Sequence, residues 1–313
     1  MLGKTAGGLF WMFRYLERSE YVARLVEAGL RLSLTRPHAS SDEWASVVDT
    51  AGVRDAYLEK SEAFDQAGVV DFLLRETDSS TSVLSCITAA RTNARLVRTA
   101  LTREVWEATN ECWMAVCTVL QRKVGERELP DVLNTIRQQS ALVRGALHGT
   151  MMRDDAYDFA RLGTFVERAD NTARILDVKY YVLLPSAMPV GSAFDNVQWE
   201  NILRSVSAHR SFRHVHNGET NAAAIAEFLI LDRRMPRALA FCYGKIRSNL
   251  AYLESDYGAR HDCHDMAQEI YDELRSLTIA SVFERGLHEY IAEFITRNNA
   301  LGLQIEADYR FTE

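Results

Sequence analysis

Residues 14–27 read RYLERSEYVARLVE, and residues 164–177 read TFVERADNTARILD. Glu17-Arg18 returns as Glu167-Arg168, Glu20 as Asp170, Ala23-Arg24 as Ala173-Arg174 and Glu27 as Asp177, all at a shift of 150 residues. Around each copy, apolar and small residues recur at alternating steps of three and four. The first set is Leu9, Met12, Leu16, Ser19, Ala23, Val26 and Leu30; the second is Phe159, Leu162, Val166, Ala169, Ala173, Leu176 and Tyr180. That period belongs to an α-helix with one buried stripe. Ser19, Ala23, Ala169 and Ala173 occupy the middle of the stripes, where small side chains let helix axes approach. The two helices are therefore expected to cross there, about a pseudo-twofold axis.

The duplication extends beyond these helices. Asp71-Phe72-Leu73 resembles Glu227-Phe228-Leu229, and Cys86, Arg91 and Asn93 match Cys242, Arg247 and Asn249 at a shift of 156 residues. A single domain over 1–313 with an internal repeat, 1–125 and 126–313, accounts for both shifts if the second copy gained about six residues; each copy would hold three or four helices. Arg36-Pro37 should end the first helix, and 125–130 should separate two others. The run 185–191 reads as a loop and 232–236 as a turn, while 40–62 has no clear period. No convincing strand pattern appears. The fold expected is all-α, a multi-helix bundle of two duplicated halves.

The chain has 313 residues, is 47% hydrophobic and carries a net charge of -7. That composition supports a sizeable core and gives no bulk attraction to nucleic acid or an anionic membrane. Cys86, Cys112, Cys117, Cys242 and Cys263 form no CxxC pair, as expected for free thiols in a reducing cytoplasm. The apolar start, Leu9 to Phe13, is cut short by Arg14, unlike a secretory signal. No stretch reaches the ~20 apolar residues of a membrane helix.

On a helix Glu17, Glu20, Arg24 and Glu27 fall within about 80° of one another, and Glu167, Asp170, Arg174 and Asp177 repeat the arrangement. Three readings stand. Glu20–Arg24 and Asp170–Arg174 form acid-first i,i+4 pairs that dress a solvated face. Alternatively, the two faces, with Arg18 and Arg168, form a half-buried network that docks the halves. Or they form a ligand site, in which arginines clamp a carboxylate and Glu17 or Glu167 acts as acid or base. Diiron bundles need Glu-x-x-His pairs, and the third position after Glu17 and Glu167 is Glu20 and Asp170, so a transition-metal pair is not expected, while a hard cation held through oxygen stays open. No cofactor is expected either.

Arg91-x-Asn93 and Arg247-x-Asn249 could hold an anion or bond a neighbouring helix. His261-x-Cys263-His264 lacks the second ligand pair of a structural zinc site and reads as an exposed loop. The basic residues His209, Arg210, Arg213, His214 and His216 read as a solvated helix end. No phosphate-cradling glycine motif, GxSxG elbow or triad spacing is present.

The stretch Thr5-Ala6-Gly7-Gly8-Leu9-Phe10-Trp11-Met12, with Arg14-Tyr15-Leu16-Glu17-Arg18, resembles the start of the bacterial alpha-E domain family, an all-helical family named for its Glu-Arg motif. The stretch 89–95, Glu104-Val105-Trp106-Glu107 with Asn110, Leu162-Gly163, Glu167-Arg168-Ala169-Asp170, Phe228-Leu229 and Pro236-Arg237 extend the resemblance along nearly the whole chain. Phe13 stands where a glycine is usual, Gly8 where asparagine is common, and Thr164 where an arginine precedes the second Glu-Arg. The resemblance implies partners: a circularly permuted ATP-grasp protein and a transglutaminase-like protein, both of which act on amide bonds. It thus implies a helical accessory or substrate-binding subunit of a peptide-ligation or peptide-modification system. An enzyme acting on a peptide-like or carboxylate-bearing substrate, and a pure scaffold, are the alternatives.

Overall fold

The computed structural model describes residues 1–35, 40–183, 193–216 and 221–312. Fifteen α-helices run through these residues, and no strand occurs among them. In the first part of the chain they are α1 (Gly3–Thr35), α2 (Ser40–Ala51), α3 (Arg54–Leu58), α4 (Gln66–Arg75), α5 (Val83–Leu96), α6 (Arg103–Val119) and α7 (Leu129–Thr150). Next come α8 (Asp155–Leu183), α9 (Ala193–Ser205), α10 (His209–Val215), α11 (Ala222–Leu231) and α12 (Leu239–Tyr257). The last three are α13 (Asp262–Ser276), α14 (Ile279–Arg285) and α15 (Leu287–Asp308).

Short polar residues start many of these helices by accepting an otherwise unpaired backbone N–H. Asp65 accepts from Gly68, Ser82 from Ser85, Thr102 from Val105, Asn221 from Ala224 and Thr278 from Ser281. Pro130 sits in the first turn of α7, where its missing N–H costs nothing. Gly258, at φ 64°, ends α12 in a left-handed turn. The turn at 232–236 is held by the Asp232 carboxylate, which accepts from the backbones of Arg234 and Met235.

The helices outnumber the three or four expected in each half. Helices of 5 to 12 residues, such as α3 and α2, span too few turns to impose a readable period, and both lie in the segment 40–62 that showed none. α1 ends at Thr35, while Arg36-Pro37 and the loop expected at 185–191 lie outside the described residues, as does the side chain of Tyr180.

α1 and α8 are the two longest helices, 33 and 29 residues. They pack along each other at the centre of the bundle. α5, α7 and α9 also cover α1, and α12, α15 and α2 cover α8. The predicted stripes are the buried faces of both helices, with Leu9, Met12, Val26, Phe159, Leu162, Val166, Ala169 and Ala173 fully enclosed. A close approach of α1 to α8 falls at Gly163, where an added Cβ would lie 2.1 Å from the carbonyl oxygen of Phe10. Ser19, expected at that crossing, turns instead toward α7, its hydroxyl 3.5 Å from that of Ser140. No described helix is long and apolar enough to cross a membrane.

Candidate functional site

The charged faces of α1 and α8 meet. Arg18 donates from Nε to Oε1 of Glu167 at 2.6 Å and from Nη2 to Oε2 at 3.0 Å. Arg168 does the same to Glu17, at 2.9 Å and 2.8 Å. Adjacent residues on a helix do not face each other. Each Glu-Arg dipeptide therefore cannot pair internally, and exchanges partners with the other helix.

Further arginines complete the cluster. Arg14 donates to Oε2 of Glu167 at 2.8 Å. Arg237, from the turn before α12, bridges Glu17 at 2.9 Å and Glu20 at 2.6 Å. Arg144, on α7, reaches Glu17 at 3.5 Å and forms an ion pair with Oε2 of Glu20. Glu17, Glu20 and Glu167 are each only 1% exposed, so all three would be costly to keep charged without these partners. Burial alone would raise their carboxyl pKa values, but the arginines outweigh it. Arg18 and Arg14 hold Glu167 down at about 2. Arg168, Arg237 and Arg144 hold Glu17 well below the usual carboxylate range. Burial moves Arg237 the other way, down to about 10 despite Glu17 and Glu20 beside it.

Arg24 and Arg174 work at helix ends. Arg24 binds Glu20 at 2.6 Å and also donates to the carbonyl of Ser205 at 3.3 Å and the hydroxyl of Ser207 at 2.7 Å, capping α9. Arg174 donates to Asp170 at 2.6 Å and lies against the end of α2, where a Cβ added to Gly52 would be 3.0 Å from its Nη1. Cations at helix C-termini meet the negative end of the helix dipole. Oδ1 of Asp170 is buried without a hydrogen bond.

The second candidate group lies apart from this cluster. Arg91 donates to Asn110 on α6 at 2.8 Å and stacks over Trp113. Arg247 donates to Gln268 on α13 at 2.8 Å and lies over Tyr271. Asn93 and Asn249 donate to carbonyls one turn back, of Ala89 and Lys245. All four make helix-to-helix or within-helix contacts. The His261 to His264 segment is not an exposed loop: Cys263 and His264 are buried in the first turn of α13, and His264 exchanges hydrogen bonds with the backbone of His261. An N-terminal cap explains the residue types there. Among the described residues no group of three or more His, Cys, Asp or Glu is placed to hold a metal ion.

The sequence reading missed Arg144 and Arg237 as cluster members, because they come from 127 and 220 residues beyond Glu17. It also missed Asp158 and Arg161, which line a cleft of about 550 Å³ between α8 and α12. A signal existed for Asp158. It precedes the apolar Leu162 and Phe165 by four and seven residues, a helical spacing that sets it beside the buried stripe, where an acid is out of place.

The fold and cluster together define an all-helical bundle whose two longest helices are locked by exchanged Glu–Arg pairs. The chain belongs to the Alpha-E family, described as a predicted alpha-helical domain with a conserved ER motif, which matches residues 1–309. No curated protein and no solved structure matches it.

Proposed function

We propose that this chain is a helical accessory or substrate-binding subunit of an ATP-grasp-linked peptide- or amide-ligation or peptide-modification system. The observation that carries this reading is the state of Glu17 and Glu167. Each is buried and held by arginines on both carboxylate oxygens. A carboxylate held at about 2, as Glu167 is, makes a poor proton acceptor near neutral pH. The Glu-Arg face is thus a lock between helices rather than catalytic machinery, and the bond-forming chemistry belongs to a partner. The Alpha-E resemblance points to a circularly permuted ATP-grasp protein and a transglutaminase-like protein as those partners, in the cytoplasm. The five cysteines, all free, fit that compartment.

The lock also supports an internal duplication about a pseudo-twofold axis. α2 follows α1 and packs on both α1 and α8, and α9 follows α8 and packs on both α8 and α1. α7 packs on α1 as α15 packs on α8. A pure scaffold is the second reading, favoured by the arginine pairing of Glu17 and Glu167 across the two helices.

Copurification with a circularly permuted ATP-grasp protein of the same genome tests the proposal. A stable complex, and ATP-dependent ligation that changes when the chain is added, is the expected result. No complex and an unchanged ligation rate would overturn it.

A further inference from the structure

Most arginines outside the cleft of α8 and α12 face a carboxylate. Within it, charges of both signs stand unpaired. Asp158 is 4% exposed, and among the described residues none donates a hydrogen bond to its carboxylate and no cation lies within ion-pair distance of it. Asp256, on α12, lines the same cleft and is exposed, with no ion-pair partner among the described residues. Arg161 gives one donor to Nε2 of His148 at 2.9 Å and lies over the rings of Phe165 and Tyr157, with no carboxylate in contact. His148 is a neutral acceptor there, because burial and then Arg161 and Arg153 push it down to about 4. The ammonium of the exposed Lys245 lies over the ring of Phe241, with no carboxylate in contact among the described residues.

Burying an acid without a partner is costly, and the Asp158 carboxylate is not sealed off but meets solvent at the cleft it lines. Asp158 sits within a few residues of Arg161 and forms no pair with it. No ion pair joins the acids and bases that line this cleft among the described residues, and its volume of about 550 Å³ is within the ~300–1,000 Å³ typical of small-ligand sites. Burial, and then Asp256, Asp154 and Asp155, raise the Asp158 carboxyl to about 7, so an arriving cation would find a group ready to give up its proton.

We infer that the cleft between α8 and α12 binds a zwitterionic amino-acid-type ligand, its ammonium against Asp158 and Asp256 and its carboxylate against Arg161 and Lys245. A free amino acid and a short unblocked peptide share this chemistry. The inference deepens the substrate-binding part of the proposed function and rests on that reading, but it needs no partner protein. Loss of the cleft's binding would leave the copurification result standing, and the reverse also holds.

Isothermal titration calorimetry on the full chain tests it with L-alanine, L-alanyl-L-alanine, N-acetyl-L-alanyl-L-alanine and L-alanyl-L-alanine amide. One of the two unblocked probes should bind saturably, and which binds tighter identifies the source. Blocking either end should weaken binding about tenfold or more, because the cleft charges facing that end then lose their partner. Asp158→Asn and the exposed Lys245→Gln should each weaken it severalfold; Lys245→Gln leaves the core untouched, so it reports even if the first variant folds poorly. Saturable binding by neither unblocked probe, or equal affinity for the blocked dipeptides, would overturn the inference.

Discussion

Arg18 and Glu167 face each other across the α1–α8 contact with two parallel hydrogen bonds, at 2.6 Å and 3.0 Å, and the pair sits beside Arg14. Removing the acid would leave two guanidinium groups against each other in a buried space. Breaking a buried pair in this way costs about 3–5 kcal/mol, so Glu167→Gln should lower the denaturant midpoint by a corresponding amount. The pH dependence carries the same signature. The Glu167 pKa falls from 4.5 to about 2 on folding. Its contribution is therefore present above the unfolded value and is lost as pH falls toward the folded one. The acid limb of wild-type stability, between about pH 5 and 2, should flatten in Glu167→Gln. A midpoint within error of wild type would remove the locking role.

Arg237 joins Glu17 to Glu20, and Glu20 also holds Arg24. Residues sharing one network couple by about 0.5–3 kcal/mol. A double-mutant cycle of Arg237→Met and Glu20→Gln should show coupling in that range, read from urea unfolding. Additive single effects would show that the bridge contributes nothing of its own.

What could be read in advance followed from period and pairing rules. The stripes around Leu16 and Val166 predicted two buried helices because a 3.6-residue repeat needs no knowledge of neighbours. The charged faces were visible too, but their burial was not. Whether Glu17 meets water or Arg168 depends on which helices cover it, and Arg144 and Arg237 approach from distant parts of the chain. Arg91 and Arg247 repeated in sequence because each staples one helix to the next, through Asn110 and Gln268, a structural need that leaves the same spelling as a binding site. Asp158 was legible only as an acid on an apolar stripe.

Two glycines separate packing from propensity. At Gly163 an added Cβ would strike the Phe10 carbonyl oxygen at 2.1 Å, and both partners are backbone. Gly163→Ala must push α8 off α1, a steric cost of about 1–3 kcal/mol or more. At Gly145, within α7, nothing lies within 4 Å of the added atom. Gly145→Ala should instead stabilise by about 0.4–1 kcal/mol through helix propensity and reduced unfolded-state entropy. Midpoints moving in opposite directions are the expected outcome. Equal shifts would mean that α1 and α8 do not touch at Gly163.

Asp158 sets a second pH limb of opposite sign. Its pKa rises from 3.8 to about 7 on folding, through burial and then the nearby Asp256, Asp154 and Asp155, with Arg161 opposing them. A raised folded pKa contributes stability that is complete below the unfolded value and is lost as pH rises through the folded one. The free chain should therefore lose stability between about pH 4 and 7 from this group, on the order of a few kcal/mol in total. Asp158→Asn cannot ionise, so it should gain in melting temperature relative to wild type at pH 8 and show little gain at pH 4. If the difference between the two proteins stays constant from pH 4 to 8, Asp158 does not titrate in this window and its isolation from cations has been misjudged.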